Sequence, residues 1–385
     1  MKILLINLVC GIKSTGRICT DIARELEKNG NEVKIAYGRE TVPAQDEKYA
    51  VRIGSELDVK VSAAKSRILD NAGFDNKKAT EKFIEWVKEY DPDVIHLHNL
   101  HGYYINCEIL FNYLKTCGKK IIWTLHDCWP FTGHCAHFTY SKCDKWKTGC
   151  SRCPEKGGYP KSMFLDRSDF NYKTKRRLFT GVPGMTLVTP SAWLAELVKQ
   201  SFLKDYDVEV IHNGIDTGAF YPTESNKKET YGLGGKKIIL GVAAVWNSKK
   251  GFDDFIKLAG ILDDEYRIVL IGVSEEQKRG LPDNIIGISR TDSVKELAEW
   301  YTAADVLFNP TYEDNYPTVN LEAQMCGTPV VTYRTGGSVE SVPESNVVEV
   351  GRYEDVLKVL NNAQIKKDDY SKETMLAGYM QLFMR

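Results

Sequence analysis

The chain has 385 residues, of which 43% are hydrophobic and 27% charged. That composition excludes a disordered or fibrous protein and suits two globular domains, or three. Lys plus Arg number 51 against 52 Asp plus Glu, a net charge of -1, so no global field favours nucleic acid or an acidic membrane, and any polyanion site must be local.

In chain order, the run Met1 to Cys10 has the charge and apolar content of a signal peptide, but no small-residue cleavage site follows it. It reads as a buried first strand of a cytoplasmic protein. Apolar runs at Ile3–Val9, Glu32–Ala36, Val94–His98, Lys120–Leu125, Met185–Thr189, Val208–Ile211, Lys237–Val242, Arg267–Ile271, Val306–Asn309 and Pro329–Thr332 alternate with helical patterns such as Thr20–Lys28, Thr80–Tyr90 and Ser293–Ala303. Continuous apolar strands separated by helices predict parallel sheets covered on both faces, an α/β doubly wound architecture. No apolar run reaches the roughly 18 residues of a membrane span.

Turn residues and charge from His212 to Thr230 predict a linker. The expected domains are 1–211, carrying a cysteine-rich insertion at about 128–160, and 212–365. A final helix, 366–385, is expected to pack back on the first domain.

Four segments of the first half carry candidate chemistry. Gly11 and Gly16 have the spacing of a phosphate-binding P-loop, but Arg17-Ile18 replaces its Lys and Ser/Thr. A plain tight turn is one reading of this loop. His96 and His98 share one face of a strand end, and His126-Asp127 ends the next. Cys135, Cys143, Cys150 and Cys153 end in a Cys-x-x-Cys pair, and four thiols of this kind can close a structural zinc site that orders a long polar loop. Two disulfides or unliganded packing are the alternatives. Lys173 to Phe179 is basic with aromatics, which suits peripheral contact with an anionic membrane or a solvated helix face.

The second half is denser. After the strand Lys237–Val242, Lys249 and Lys250 open a helix, either as a solvated face or as cations beside free helix N–H groups. After Val306–Asn309, the loop Pro310–Pro317 carries Glu313 and Asp314, and the helix from Thr318 carries Glu322. These acids lie at the carboxyl edge of a parallel sheet, the usual ligand-binding edge. The backbone N–H groups of Thr318–Asn320 suit a phosphate there. Simple capping of the helix would account for Asp314 but poorly for Glu322.

Asp314 and Glu322, separated by seven residues before Ala-x-x-x-Gly-x-Pro-Val, resemble the signature of the retaining glycosyltransferases of family 4. The resemblance covers nearly the whole chain. It implies the GT-B fold, two Rossmann-like domains facing across a cleft. The family usually has Glu at the first position, and neighbouring Glu313 leaves the register open by one residue. By resemblance, Glu322 accepts hydrogen bonds from the ribose of a nucleotide-sugar donor, and Asp314 with the backbone of Asn315, Tyr316 and Pro317 approaches the transferred sugar. Lys250 matches the family lysine; the partner arginine is Val245 here, for which Lys249 is a substitute. Ser289 and Arg290 stand where the family holds the nucleobase, Thr335-Gly336-Gly337 resembles its Gly-Gly turn, His126 is the residue near the reacting centre, and in the GT-B picture Gly16 permits close backbone approach to donor phosphate or acceptor.

The resulting expectation is a metal-independent, retaining transferase moving a sugar from a UDP- or GDP-linked donor to a saccharide or lipid-linked acceptor in surface polysaccharide synthesis. It would be cytoplasmic, peripheral at the inner face of the membrane, with no nucleic-acid partner and no cofactor beyond the structural zinc. Cysteine-rich insertions of this kind occur in a subset of the family linked to surface polysaccharides, and the insertion is expected to shape acceptor recognition. The alternatives are a nucleotide-sugar epimerase or hydrolase on the same fold and a zinc-containing binding protein.

Overall fold

The computed structural model describes residues 1–385. They divide into unit 1, Met1–Ile211 with Leu376–Arg385, and unit 2, His212–Met375.

Unit 1 is built on seven strands: β1 (Lys2–Asn7), β2 (Glu32–Tyr37), β3 (Ala50–Arg52), β4 (Val94–Leu97), β5 (Lys120–Thr124), β6 (Met185–Thr189) and β7 (Asp207–Val210). All pair in parallel, in the order β3-β2-β1-β4-β5-β6-β7. Unit 2 has six parallel strands, β8 (Lys237–Val242), β9 (Tyr266–Ile271), β10 (Ile285–Ile288), β11 (Val306–Asn309), β12 (Val330–Tyr333) and β13 (Val347–Val348), ordered β10-β9-β8-β11-β12-β13. β3 and β13 are too short to leave a pattern in the sequence. No helix is long and apolar enough to cross a membrane.

The central strands are largely apolar because both faces are covered, whereas the edge strand β7 carries Asp207 and Glu209. In β8, Ile238 and Leu240 join one core cluster while Ile239 joins another on the opposite face. Fully burying one such side chain is worth about 1.5–3 kcal/mol, so these runs hold the sheet in place.

The strand order reverses beside β1 in unit 1 and beside β8 in unit 2. At such switch points the loops leaving two adjacent strands diverge and open a crevice at the carboxyl edge.

Two boundaries differ from expectation. Residues 366–375 belong to unit 2, which they join through Lys366 N–H to Gln324 Oε1 (2.8 Å), the Tyr370 hydroxyl to Ser341 O (3.1 Å) and a bridge between Ser371 and Ile215. The chain enters unit 1 only at Leu376. Gly16 lies inside the helix Lys13–Lys28 and not in a loop before it. A Cβ there would stand 3.0 Å from Val9 Cγ2, so the missing side chain lets the first helical turn rest directly on Val9.

Candidate active site

In unit 2 the loop leaving β8 carries both lysines and the loop leaving β11 carries both acids, one on each side of the switch point. Asn247 accepts from Lys250 N–H (3.1 Å), and Gly251, at φ +75°, turns the chain into the helix Phe252–Ala259. A Cβ at Gly251 would meet Pro310 O at 2.4 Å, so the two loops touch because this residue is glycine. Tyr312 N–H donates to Lys249 O (2.8 Å) across the same seam.

The side chains then pair in register. Lys249 Nζ lies 2.8 Å from Glu313 Oε1 and Lys250 Nζ 2.7 Å from Asp314 Oδ2. Glu313 is 8% exposed, whereas the Lys250 and Asp314 side chains keep 37% and 20% of their exposure. Lys249 is thus committed to an almost buried carboxylate, and the Lys250–Asp314 pair is the one that reaches solvent. Val245, in place of the family arginine, is 69% exposed.

The helix Thr318–Met325 starts after Pro317 with no side-chain cap, and Asn320 N–H turns back to Pro317 O (3.2 Å). That leaves the Thr318 and Val319 N–H groups outside the helix's own hydrogen bonds. Glu322, one turn on, accepts from the Tyr301 hydroxyl at 2.8 Å. Asn315 and Tyr316 are buried, and the Tyr316 ring stacks on His212 with centroids 4.6 Å apart. Ser289 and Arg290 follow β10 at the sheet edge, two strands from β8; both are exposed, and the Ser289 hydroxyl is held by Glu275.

Two supports of this loop left weaker signals. Gly336, at φ +52°, lies so close to the Asp314 carbonyl that a Cβ would stand 1.9 Å from its oxygen, and Gly337 N–H donates to that oxygen (3.2 Å). Asn320, fully buried, receives Asn309 Nδ2 and donates to the Ser338 and Ser341 hydroxyls. Two polar residues one turn apart on the buried helix face, Asn320 and Gln324, were the only trace of that network in the sequence.

In unit 1, His126 follows β5 and His98 follows β4, and their rings meet at 3.0 Å between Nε2 and Nδ1. His96 donates to or accepts from Thr124 (2.8 Å), which in turn meets the Tyr379 hydroxyl of the last helix (3.2 Å). Burial holds the His126 imidazole down at about 4 and that of His96 down at about 3. The row is therefore neutral at pH 7. Burial works to raise Asp127, but His101, 2.7 Å away, overrides it and holds the carboxyl down at about 2. His101 was missed in the sequence; its only signal was the spacing His98-x-x-His101.

The insertion Cys128–Pro160 contains no strand and only two short helical turns, Trp129–Phe131 and Lys145–Lys147. Stacked Phe138 and Trp146, with Phe131 at the edge, give it a core of its own. Cys135, Cys143, Cys150 and Cys153 all line one small cavity with ≈ 10 Å³ of room, about one water-sized sphere. All ten cysteines are free thiols, and as the side chains stand no three His, Cys, Asp or Glu are set to hold a metal ion.

The basic segment Lys173–Phe179 is not a uniform surface. Lys175 is 1% exposed, donating to Trp129 O (2.8 Å) and Thr132 O (3.0 Å), and Phe179 is fully buried. Helical periodicity turns these two inward, while Lys173 and Arg177 pair with Asp169 and Glu108.

Two Rossmann-like parallel sheets with charged loops at a switch point define a GT-B glycosyltransferase architecture. Residues 15–219 match the family described as Glycosyltransferase Family 4 and residues 223–369 the Glycosyl transferases group 1 model. The chain belongs to glycosyltransferase family 4. It is 25% identical to the putative colanic acid biosynthesis glycosyl transferase WcaC of Escherichia coli K12, over 99% of this chain and 95% of that one. A D-inositol 3-phosphate glycosyltransferase of Pseudarthrobacter chlorophenolicus is 30% identical over 39% of this chain and 40% of its own length. Among solved structures, sucrose-phosphate synthase of Thermosynechococcus elongatus superposes with a TM-score of 0.72 at 15% identity, covering 100% of this chain and 98% of that one. Anabaena HepE in complex with UDP gives 0.67 at 14% identity and 100% of both chains. These likenesses carry the fold.

Proposed function

We propose that this chain is a retaining, metal-independent hexosyltransferase that takes a UDP- or GDP-linked sugar and builds a surface polysaccharide on a saccharide or lipid-linked acceptor, at the cytoplasmic side. The observation that carries the reading is the solvent-reaching Lys250–Asp314 pair at the unit 2 switch point. A diphosphate arriving there can draw the ammonium from Asp314, so the leaving group meets a fixed cation as its charge develops. Thr318 and Val319 N–H groups add hydrogen bonds to the same anion. Glu322, steadied by Tyr301, has acceptor capacity left for ribose hydroxyls. His126 is neutral, so it holds a hydroxyl in place by hydrogen bonding and does not deliver a proton as an imidazolium would. The names of the Escherichia coli relative and of HepE, solved with UDP and with UDP-glucose, agree with a polysaccharide role and a nucleotide-sugar donor.

Turnover of a panel of UDP- and GDP-sugars tests this. We expect one donor to be hydrolysed slowly without acceptor and faster with it, and Glu322→Ala to weaken its binding about tenfold or more, since hydrogen bonds to charged groups are worth about 1.5–3 kcal/mol. Absence of binding and turnover for every donor would sink the reading. Fast turnover indifferent to acceptor would instead make the protein a hydrolase or epimerase.

The cysteine cavity is proposed as a structural zinc site held by Cys135, Cys143, Cys150 and Cys153. Four cysteines around one atom-sized cavity support it. Elemental analysis of the purified chain should find one zinc. Cys150→Ser with Cys153→Ser should lose it and melt roughly 5 °C lower or more, for a loss of about 2 kcal/mol. Zinc near zero in the unmodified protein would end the proposal.

A further inference from the structure

Unit 1 holds a charged cavity that none of the roles above uses. It measures ≈ 880 Å³, lies against the helix Glu56–Leu69 and the segment leaving the cysteine-rich loop, and is lined by Arg39, Lys60, Arg67, Lys161, Tyr103 and Tyr159. No acidic side chain lines it. Lys60 is paired with Glu56 at 2.7 Å, whereas Arg39, Arg67 and Lys161 have no carboxylate at ion-pair distance. Unpaired like charges around one hollow repel each other, and an incoming anion relieves that repulsion. In a chain of net charge -1 this is a local excess, not a by-product of composition.

Three further features point to a ligand. Tyr103 adopts φ +73°, a left-handed conformation that costs an aromatic residue energy, and it is held there by Asn76 donating to its carbonyl. Both tyrosine hydroxyls are protonated phenols at neutral pH and can donate to an anion. The Tyr159 hydroxyl is 3.3 Å from His101 Nδ1, and His101 reaches Asp127, the residue after His126. The cavity wall is thus linked through His101 to Asp127, which follows His126 in the chain.

We propose that this cavity binds the phosphate or diphosphate group of the acceptor. The proposal rests on the glycosyltransferase reading and adds the acceptor's chemical class. It also ties the cysteine-rich insertion to acceptor binding, because the segment that follows Cys153 supplies Tyr159 and Lys161 to the wall. The anion is either a lipid headgroup or a soluble sugar phosphate. Ile68, Leu69, Met163 and Phe164 stand exposed next to Arg67, with Met163 N–H fixed on Arg67 O (2.7 Å), and would meet a lipid chain.

The deciding experiment is calorimetric titration of the full chain with inorganic pyrophosphate, geranyl diphosphate and glucose 1-phosphate. It is run in Lys250→Ala, to silence the unit 2 cation, and in the same protein with Arg67→Ala and Lys161→Ala. Both added positions are exposed, so the fold is unaffected. Pyrophosphate affinity is expected to fall about tenfold or more on adding the two substitutions. Tighter binding of geranyl diphosphate than of pyrophosphate itself assigns a lipid headgroup, and binding of glucose 1-phosphate with no gain from the geranyl chain assigns a soluble phosphate. No binding, or equal affinity in both proteins, overturns the proposal. Donor turnover by the unmodified chain is measured in parallel, so that loss of the anion site and loss of the transferase reading are separate results.

Discussion

Lys250→Ala is expected to lower turnover of the nucleotide-sugar by about 10²–10³-fold, the usual cost of removing one group aimed at developing negative charge. The same change should leave the melting temperature nearly unaltered. The Lys250–Asp314 pair is partly exposed, and pairs in that setting contribute about 0–1 kcal/mol. The backbone of the loop is held independently, by Asn247 on Lys250 N–H and by Gly251 against Pro310. Steady-state kinetics beside a thermal melt separates the two effects. Unchanged turnover would remove Lys250 from the chemistry.

Gly336→Ala is expected to cost both stability and donor binding. Its Cβ would fall 1.9 Å from the Asp314 oxygen, backbone against backbone, so the loop carrying Asp314 has to move. Gly327→Ala is the control. It also has a positive φ, +86°, but the nearest atom to its Cβ is Pro222 Cγ at 3.5 Å. It should therefore lose only the left-handed strain of about 1–2 kcal/mol and keep its donor affinity. At Gly336 the added displacement of Asp314 should weaken donor binding by about tenfold or more, because a misplacement near 1 Å in a site is costly. Equal donor affinity in the two variants would show that the position of Asp314 does not matter.

The paired acids and lysines of unit 2 were legible because each lies where a strand pattern stops and a helix pattern starts, and a parallel sheet brings all such junctions to one edge. What could not be read was which lysine meets which acid. That is decided by Gly251 and Gly336, whose missing side chains let backbone pass within contact distance. Glycine identity is visible in a sequence, but the partner it approaches is not. The start of the first helix was misjudged for a related reason: Gly16 looked like loop punctuation and is instead a packing contact with Val9.

Lys175 shows the limit of composition. Among Lys173, Arg176 and Arg177 it read as one more surface cation, yet it is buried on two carbonyl oxygens behind the cysteine-rich loop. His101 and the cavity cations Arg39, Arg67 and Lys161 come from segments far apart in the chain. No local pattern links them.

The cysteine cluster was visible as spacing alone, and its four thiols do line one cavity. The sequence by itself determined the two parallel sheets, through apolar runs that only two-sided burial explains. It also determined the edge at which the charged loops collect, through chain order. The tertiary structure alone decided the pairing of Lys249 with Glu313 and of Lys250 with Asp314, the neutral histidine row and the cationic cavity. Those depend on long-range approach and on desolvation, which set charge states and partners only after the chain has packed.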